Sequence, residues 1–163
     1  MNQPAQFTLP LAACAAIAAD VTHYGATQRV ETGGFLLMPR GTSDVGVVAV
    51  AGSRGIVRAP LYLHLSGAAV EMISEWADDN DHRIVGQFHS HLRDAFLSDI
   101  DRCSGFCVDG FVSAVIPNFT SLMADSATWG WWRYGSRDWQ PIEPPNTTMS
   151  PVTVITFDEF SIK

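Results

Sequence analysis

Lysine is almost missing from this sequence. Nine of its ten basic residues are arginine, and the only lysine is the last residue, Lys163. Coding from a GC-rich genome is the plain cause of such a bias. Positive charge is scarce overall: ten Lys and Arg stand against seventeen Asp and Glu, for a formal net charge of −7. That balance argues against nucleic acid or an anionic membrane as the main partner, since both recruit basic groups. Cysteine is sparse too. Cys14, Cys103 and Cys107 form no metal-knuckle pattern, and an odd count in a chain of 163 residues points to a reducing compartment. Cys103 and Cys107 lie four apart on an expected helix and read as buried packing. The apolar run Leu11–Ala19 has no positive region before it and is too short to cross a bilayer, which needs about 20 residues. Neither a signal peptide nor a membrane anchor is expected, the location expected is cytoplasmic, and the sequons at Asn118 and Asn146 are chance matches.

Several catalytic signatures are missing as well. There is no HExxH, no P-loop, no G-x-G-x-x-G, no G-x-S-x-G elbow and no H-x-E followed by P-C-x-x-C. All five histidines lie at or before His91. With 47% hydrophobic and 17% charged residues, the composition is that of one globular domain able to bury its own core.

What is present centres on one stretch, from Ile84 to Asp101. It opens as an apolar strand, Ile84-Val85-Gly86-Gln87-Phe88-His89, and continues Ser90-His91. Side chains alternate along a strand, so His89 and His91 point the same way, with Cα atoms about 6.6–7 Å apart. Two imidazoles at that spacing can converge on one metal, each at about 2.0–2.1 Å. A third ligand must come from the next segment, where Ser98-x-x-Asp101 opens a helix. The same four residues read equally well as a capping box.

A second piece lies upstream, Glu31-Thr32-Gly33-Gly34, at the start of another strand. Glu31-x-Gly-Gly, then His89-Ser-His91, then Ser98-x-x-Asp101 together resemble the JAMM/MPN family of zinc metalloproteases, which includes deubiquitinating isopeptidases and compact bacterial relatives. The resemblance spans about residues 6–143. It implies an α/β fold (JAB-like, cytidine-deaminase-like) with a central mixed sheet flanked by helices. By the resemblance, His89, His91 and Asp101 hold one catalytic zinc ion, Glu31 is the general base and Ser98 helps to stabilise the oxyanion. The implied reaction is hydrolysis of the peptide or isopeptide bond after the C-terminal glycine of a ubiquitin-like protein, in deconjugation or precursor processing within a bacterial ubiquitin-like pathway. The implied partners are that ubiquitin-like protein or its conjugates, with conjugation enzymes encoded nearby. A chain with no internal lysine would also escape conjugation by such machinery. The alternative is a metal-free MPN-like scaffold that binds partners without catalysis. The chain departs from the family pattern in two places. Leu92 stands where a proline usually follows the second histidine, and the gap from His91 to Asp101 is one residue short. The shorter loop over 92–97 leaves Asp99 and Asp94 open as third ligands. The second, structural zinc site of some eukaryotic members is expected to be missing.

The other elements follow from pattern and punctuation. A short strand is expected at Phe7-Thr8-Leu9, with Thr8 capping an alanine-rich helix over 10–23 that Gly25 ends. Strands are expected at 33–38 and 45–51. The segment 53–65 reads as irregular, with a strand at Leu61-Tyr62-Leu63 and a structural or exposed His64. A helix runs from Ser66 to about Asp79, with Val70, Ile73, Trp76 and Ala77 on one apolar face. A strand over 83–89 leads to the histidines, a helix runs from Asp101 to about Cys107, and Phe111–Ile116 is a buried strand. Residues 129–134 and 138–142 form a hairpin. The domain is placed at 1–145, with a tail over 146–163 whose segment 152–157 can add a strand.

Overall fold

Alanine, the strongest helix former, dominates the first helix, α1, Leu11–Gln28, in the computed structural model, which describes residues 5–163. Both ends of α1 differ from the sequence expectation. Pro10, not Thr8, is the N-cap, and no side chain caps the helix; the Thr8 hydroxyl donates instead to the Asp44 carboxylate. The helix also runs through Gly25 to Gln28 and closes on Arg29, whose φ of 56° is left-handed and whose N–H donates to the Gly25 carbonyl. Gly25 is therefore not a stop. It allows a close approach, since a Cβ there would lie 2.3 Å from the Phe119 carbonyl oxygen. Gly25→Ala should cost about 1–3 kcal/mol through overpacking, although alanine has the better helix propensity. Chemical denaturation of the two proteins checks this.

The central sheet has seven strands. In chain order they are β2 (Gly33–Pro39), β3 (Val47–Ala51), β6 (His82–Ser90), β7 (Val112–Ile116), β8 (Gly130–Gly135), β9 (Asp138–Pro141) and β11 (Thr153–Phe157). Their spatial order is β11-β3-β2-β6-β7-β8-β9. β11 runs parallel to β3, and β6 runs parallel to β7; the other pairs are antiparallel. The sheet is thus mixed, as expected. Two short pairs complete the strands: β1 (Leu9–Pro10) with β10 (Thr147–Thr148), and β4 (Ile56–Ala59) with β5 (Tyr62–Leu65). β5 overlaps the strand expected at Leu61-Tyr62-Leu63, while β4 and its pairing with β5 correct the irregular reading of the rest of 53–65. The strands of this hairpin are short and half exposed, so they lack a sustained apolar pattern.

Both faces of the sheet are covered, and for that reason β2, β3 and β7 read as continuous apolar runs. Alternation along β2 sends Leu36 and Met38 into the core under α1, with Ile17, Val21 and Phe119. Phe35 and Leu37 enter the opposite core, with Ile73 and Ala77 of α2 (Gly67–Asp79) and with Phe157. Ser66 caps α2, accepting the Ala69 N–H at 3.1 Å. The third helix, α3, is Asp99–Ser104 and stops short of Cys107. Cys103 and Cys107 are both exposed rather than packed, because the short helix never carries Cys107 onto a buried face; Cys14 is buried. No described helix is long and apolar enough to cross a membrane.

Candidate metal centre

The register of β2 against β6 sets the site. Gly33 pairs with His89, and the Ser90 N–H donates to the Thr32 carbonyl at 2.9 Å. One residue further on, Glu31 therefore faces His91 across the strand ends. Glu31, Gly33, His89 and His91 share one face of the sheet. Gly33 lets β6 and the Leu63 side chain close in on that face: a Cβ there would meet the Phe88 carbonyl oxygen at 2.4 Å and the Leu63 side chain at 2.7 Å. Gly34 lies as close to Ala49, 2.0 Å from its oxygen to an added Cβ, which holds β2 tightly against β3.

The loop over 92–97 then carries the chain back to α3. Leu92 packs against the core under α1, Leu97 is buried, and the Phe96 ring sits edge-on to the His91 imidazole at 4.9 Å. The shortened loop thus delivers α3 to the histidines. Ser98 is its N-cap, and Ser98 and Asp101 form a capping box. The Asp101 N–H donates to Ser98 Oγ at 3.1 Å, and the Ser98 N–H donates to Asp101 Oδ2 at 2.9 Å.

That same Oδ2 lies 3.2 Å from His89 Nε2 and 3.3 Å from His91 Nε2, and the two Nε2 atoms are 3.2 Å apart. The capping and ligand readings of Asp101 are therefore compatible, because one carboxylate oxygen serves both. His89, His91 and Asp101 form the cluster able to hold a metal among the described residues. Asp94 and Asp99, left open by the sequence, are not in it. Asp94 contributes its backbone carbonyl, which accepts the His91 Nδ1–H at 3.1 Å. That bond fixes the tautomer, so the Nε2 lone pair of neutral His91 faces the other donors. Glu31 Oε1 stands 4.0 Å from His91 Nε2.

These residues fit a metal. Four donors at about 2.0–2.1 Å in a tetrahedron lie about 3.3–3.4 Å from one another. The three edges here are 3.2, 3.2 and 3.3 Å. Two imidazole lone pairs and a carboxylate oxygen at such separations repel unless a cation lies among them. The three side chains are largely withdrawn from water, with 9, 8 and 15% of His89, His91 and Asp101 exposed.

The electrostatics agree. Burial pushes the Glu31 carboxyl up to about 8; the Asp101 charge adds to this, and His91 offsets part of it. Burial would lower the His91 pKa, but Asp101 and Glu31 outweigh it and raise the group above its ordinary value. Burial would raise Asp101, yet the neighbouring His89 and His91 side chains and the Ser98 amide hold it well below the usual carboxylate range.

Glu31 makes the metal-free chain sensitive to pH. Its folded pKa of about 8 exceeds its ordinary 4.5, so unfolding releases a proton between those values. Stability then falls as pH rises from about 4.5 to about 8 and levels off above. Glu31→Gln removes this loss. The substitution should stabilise the metal-free protein by on the order of 3–5 kcal/mol more at pH 8.5 than at pH 4.5. Denaturant titrations of both proteins at the two pH values, with chelator, test it. Equal differences at both would show that Glu31 is not held protonated by burial.

The residues that build two parts of the site were not foreseen. One is a cleft of 420 Å³ that borders His89 and Asp101, with walls from Phe35, Leu63, Leu65 and Phe106. The exposed His64 sits at its edge. Recognising the β4–β5 hairpin would have pointed to it, since β5 forms one wall. The other is a polar network behind Glu31, through Thr32, Ser90, Asp20 and Arg58. Nothing local in the sequence signals it.

No protein-family model matches the sequence, and no curated protein matches it. Solved structures do share the fold. A protein from Desulfitobacterium hafniense, solved in solution, superposes with a TM-score of 0.67 over 89% of this chain and 94% of its own, at 15% identity. A protein from Salinibacter ruber gives 0.52 over 86% and 91%, at 14% identity. A JAB1/MPN domain protein from Archaeoglobus fulgidus gives 0.50 over 88% and 98%, at 13% identity. The architecture is thus similar to that of a JAB1/MPN domain; identities this low speak to the fold alone.

Proposed function

We propose that this chain is a zinc-dependent hydrolase of the JAMM type, cutting the peptide or isopeptide bond after the C-terminal glycine of a ubiquitin-like protein. The observation that supports this most is the convergence of His89 Nε2, His91 Nε2 and Asp101 Oδ2 within 3.2–3.3 Å, with a buried carboxylate, Glu31, beside them. Two imidazoles and one carboxylate would hold zinc and leave a position open. When bound, zinc would supply Lewis acidity, acidifying the attacking water and polarising the scissile carbonyl.

The remaining work falls to the chain. Glu31 takes the proton from the attacking water and passes it to the departing amine. Its carboxyl is buried beside the three donors, 4.0 Å from His91 Nε2, within reach of a water held among them. Ser98 Oγ accepts the Asp101 N–H at 3.1 Å, so its own proton is available for the carbonyl oxygen as negative charge grows there. The cleft beside His89 and Asp101 takes an extended glycine-ended tail, which pairs along β5 as an added strand. The free cysteines suit work in a reducing cytoplasm.

The test is cleavage of ubiquitin-like fusions ending in glycine and joined to a reporter by peptide or isopeptide linkage, using zinc-loaded protein. Release after the glycine, abolished by chelator and restored by zinc, is the expected result. Binding of the fusions without release, and without zinc uptake, would instead establish the scaffold reading.

A further inference from the structure

Thr32 and Ser90 are fully buried polar residues that make no contact with the metal ligands' donor atoms. Each nevertheless sits next to machinery: Thr32 follows Glu31, and Ser90 lies between His89 and His91. The Thr32 N–H donates to Ser90 Oγ at 3.0 Å, and the Ser90 N–H donates to the Thr32 carbonyl at 2.9 Å. The pair therefore locks the base-bearing strand end to the ligand-bearing one from the opposite face of the sheet.

This lock is itself held by one guanidinium. Arg58 Nε donates to Thr32 Oγ1 at 3.2 Å, and Thr32 Oγ1 donates to Asp20 Oδ2 of α1 at 3.2 Å. Arg58 Nη1 and Nη2 donate to the carbonyls of Gly52 and Ala51 at 2.6 and 2.5 Å, and the guanidinium lies 3.7 Å from the centre of the Tyr24 ring. The neighbouring residue on β4, Ala59, accepts the Glu31 N–H through its carbonyl at 2.9 Å. A single side chain on β4 thus joins the end of β3, helix α1 and the Thr32 side chain beside Glu31. The planar fork is what allows three bonds and a ring contact at once; an ammonium group offers neither the fork nor the stacking face.

We infer that Arg58, acting through Thr32, is a positioning residue that fixes where the Glu31 carboxylate stands relative to His89 and His91. This rests on the hydrolase reading. A small misplacement of a reacting group can cost a large factor in rate without changing what binds.

The test compares Arg58→Gln, Arg58→Lys and Thr32→Val with the wild type, each also in a Glu31→Gln background. Thr32→Val breaks the same link by replacing one hydroxyl and serves if Arg58→Gln does not fold. The measurements are metal per chain, the visible spectrum of the cobalt-loaded protein, and kcat and KM on a glycine-ended fusion. Expected for Arg58→Gln and Thr32→Val are about one metal per chain and an unchanged cobalt spectrum. Their kcat should fall about tenfold with KM within about twofold. Arg58→Lys should recover little of the loss. On the residual activity of Glu31→Gln, neither variant should cost anything more, because the group they position is gone. An unchanged kcat, or the same tenfold loss in the Glu31→Gln background, would overturn the assignment, as would a loss of metal matching the loss of rate. A wild-type protein that neither takes up metal nor cleaves would instead sink the hydrolase reading, and a role for Arg58 toward Glu31 with it.

Discussion

Asp101→Ala is expected to strip the metal from the protein and abolish hydrolysis. Zinc sites in small domains gather about 10–16 kcal/mol over four ligands, so one ligand carries roughly 3 kcal/mol, or roughly a hundredfold or more in affinity. Asp101 has a second role that must be separated from the first. Its Oδ2 accepts the Ser98 N–H at 2.9 Å and closes the capping box of α3. Alanine therefore also removes a cap contact, worth about 1 kcal/mol. Asp101→Asn separates the two, since an amide oxygen still accepts from Ser98 but carries no charge for a cation. Asp101→Asn should keep the cap contact, worth about 1 kcal/mol, and still lose the metal. Metal retained in Asp101→Asn, with loss only in alanine, would reduce Asp101 to a capping residue.

Glu31→Gln is expected to lower kcat by about 10²–10⁴-fold while leaving about one metal per chain. The side chain stands 4.0 Å from His91 Nε2, beyond the 3.2–3.3 Å that joins the other three donors, so its loss should not empty the site. Glutamine preserves the shape and removes the proton acceptor. The sign of the stability change at high pH, positive in the metal-free protein, distinguishes this from a fold defect. Full turnover by Glu31→Gln would overturn the base assignment. His91→Ala should behave as Asp101→Ala does, with metal and activity lost together.

The site was more legible in the sequence than parts of the scaffold. The two histidines one residue apart on an apolar strand dictated a shared face, and they keep it: β6 carries His89 and ends at Ser90, and His91 follows directly, aligned by the register of Gly33 with His89. Asp101 was legible only as one of three acids, since the loop of 92–97 is short by one residue; tertiary packing of Leu92 and Leu97 decided which acid meets the histidines. The strands β2, β3 and β7 were legible because both faces of the sheet are buried, and the continuous apolar runs follow from that. Gly25 was misread because a helix-ending glycine and a close-contact glycine look alike until the partner, Phe119, is known. The β4–β5 hairpin escaped because two four-residue strands with exposed faces carry almost no periodicity. Arg58 escaped for a different reason. Its partners, Asp20, Thr32, Ala51 and Gly52, are separated in sequence and meet only in the folded chain.

The most direct test of the metal centre is the metal content of the purified chain by elemental mass spectrometry, beside Asp101→Asn. The protein is prepared without chelator and with zinc supplied. About one zinc per chain in the wild type, and almost none in the variant, is the predicted result. No zinc in either would contradict the proposed centre, and zinc kept in both would show that a residue other than Asp101 completes it.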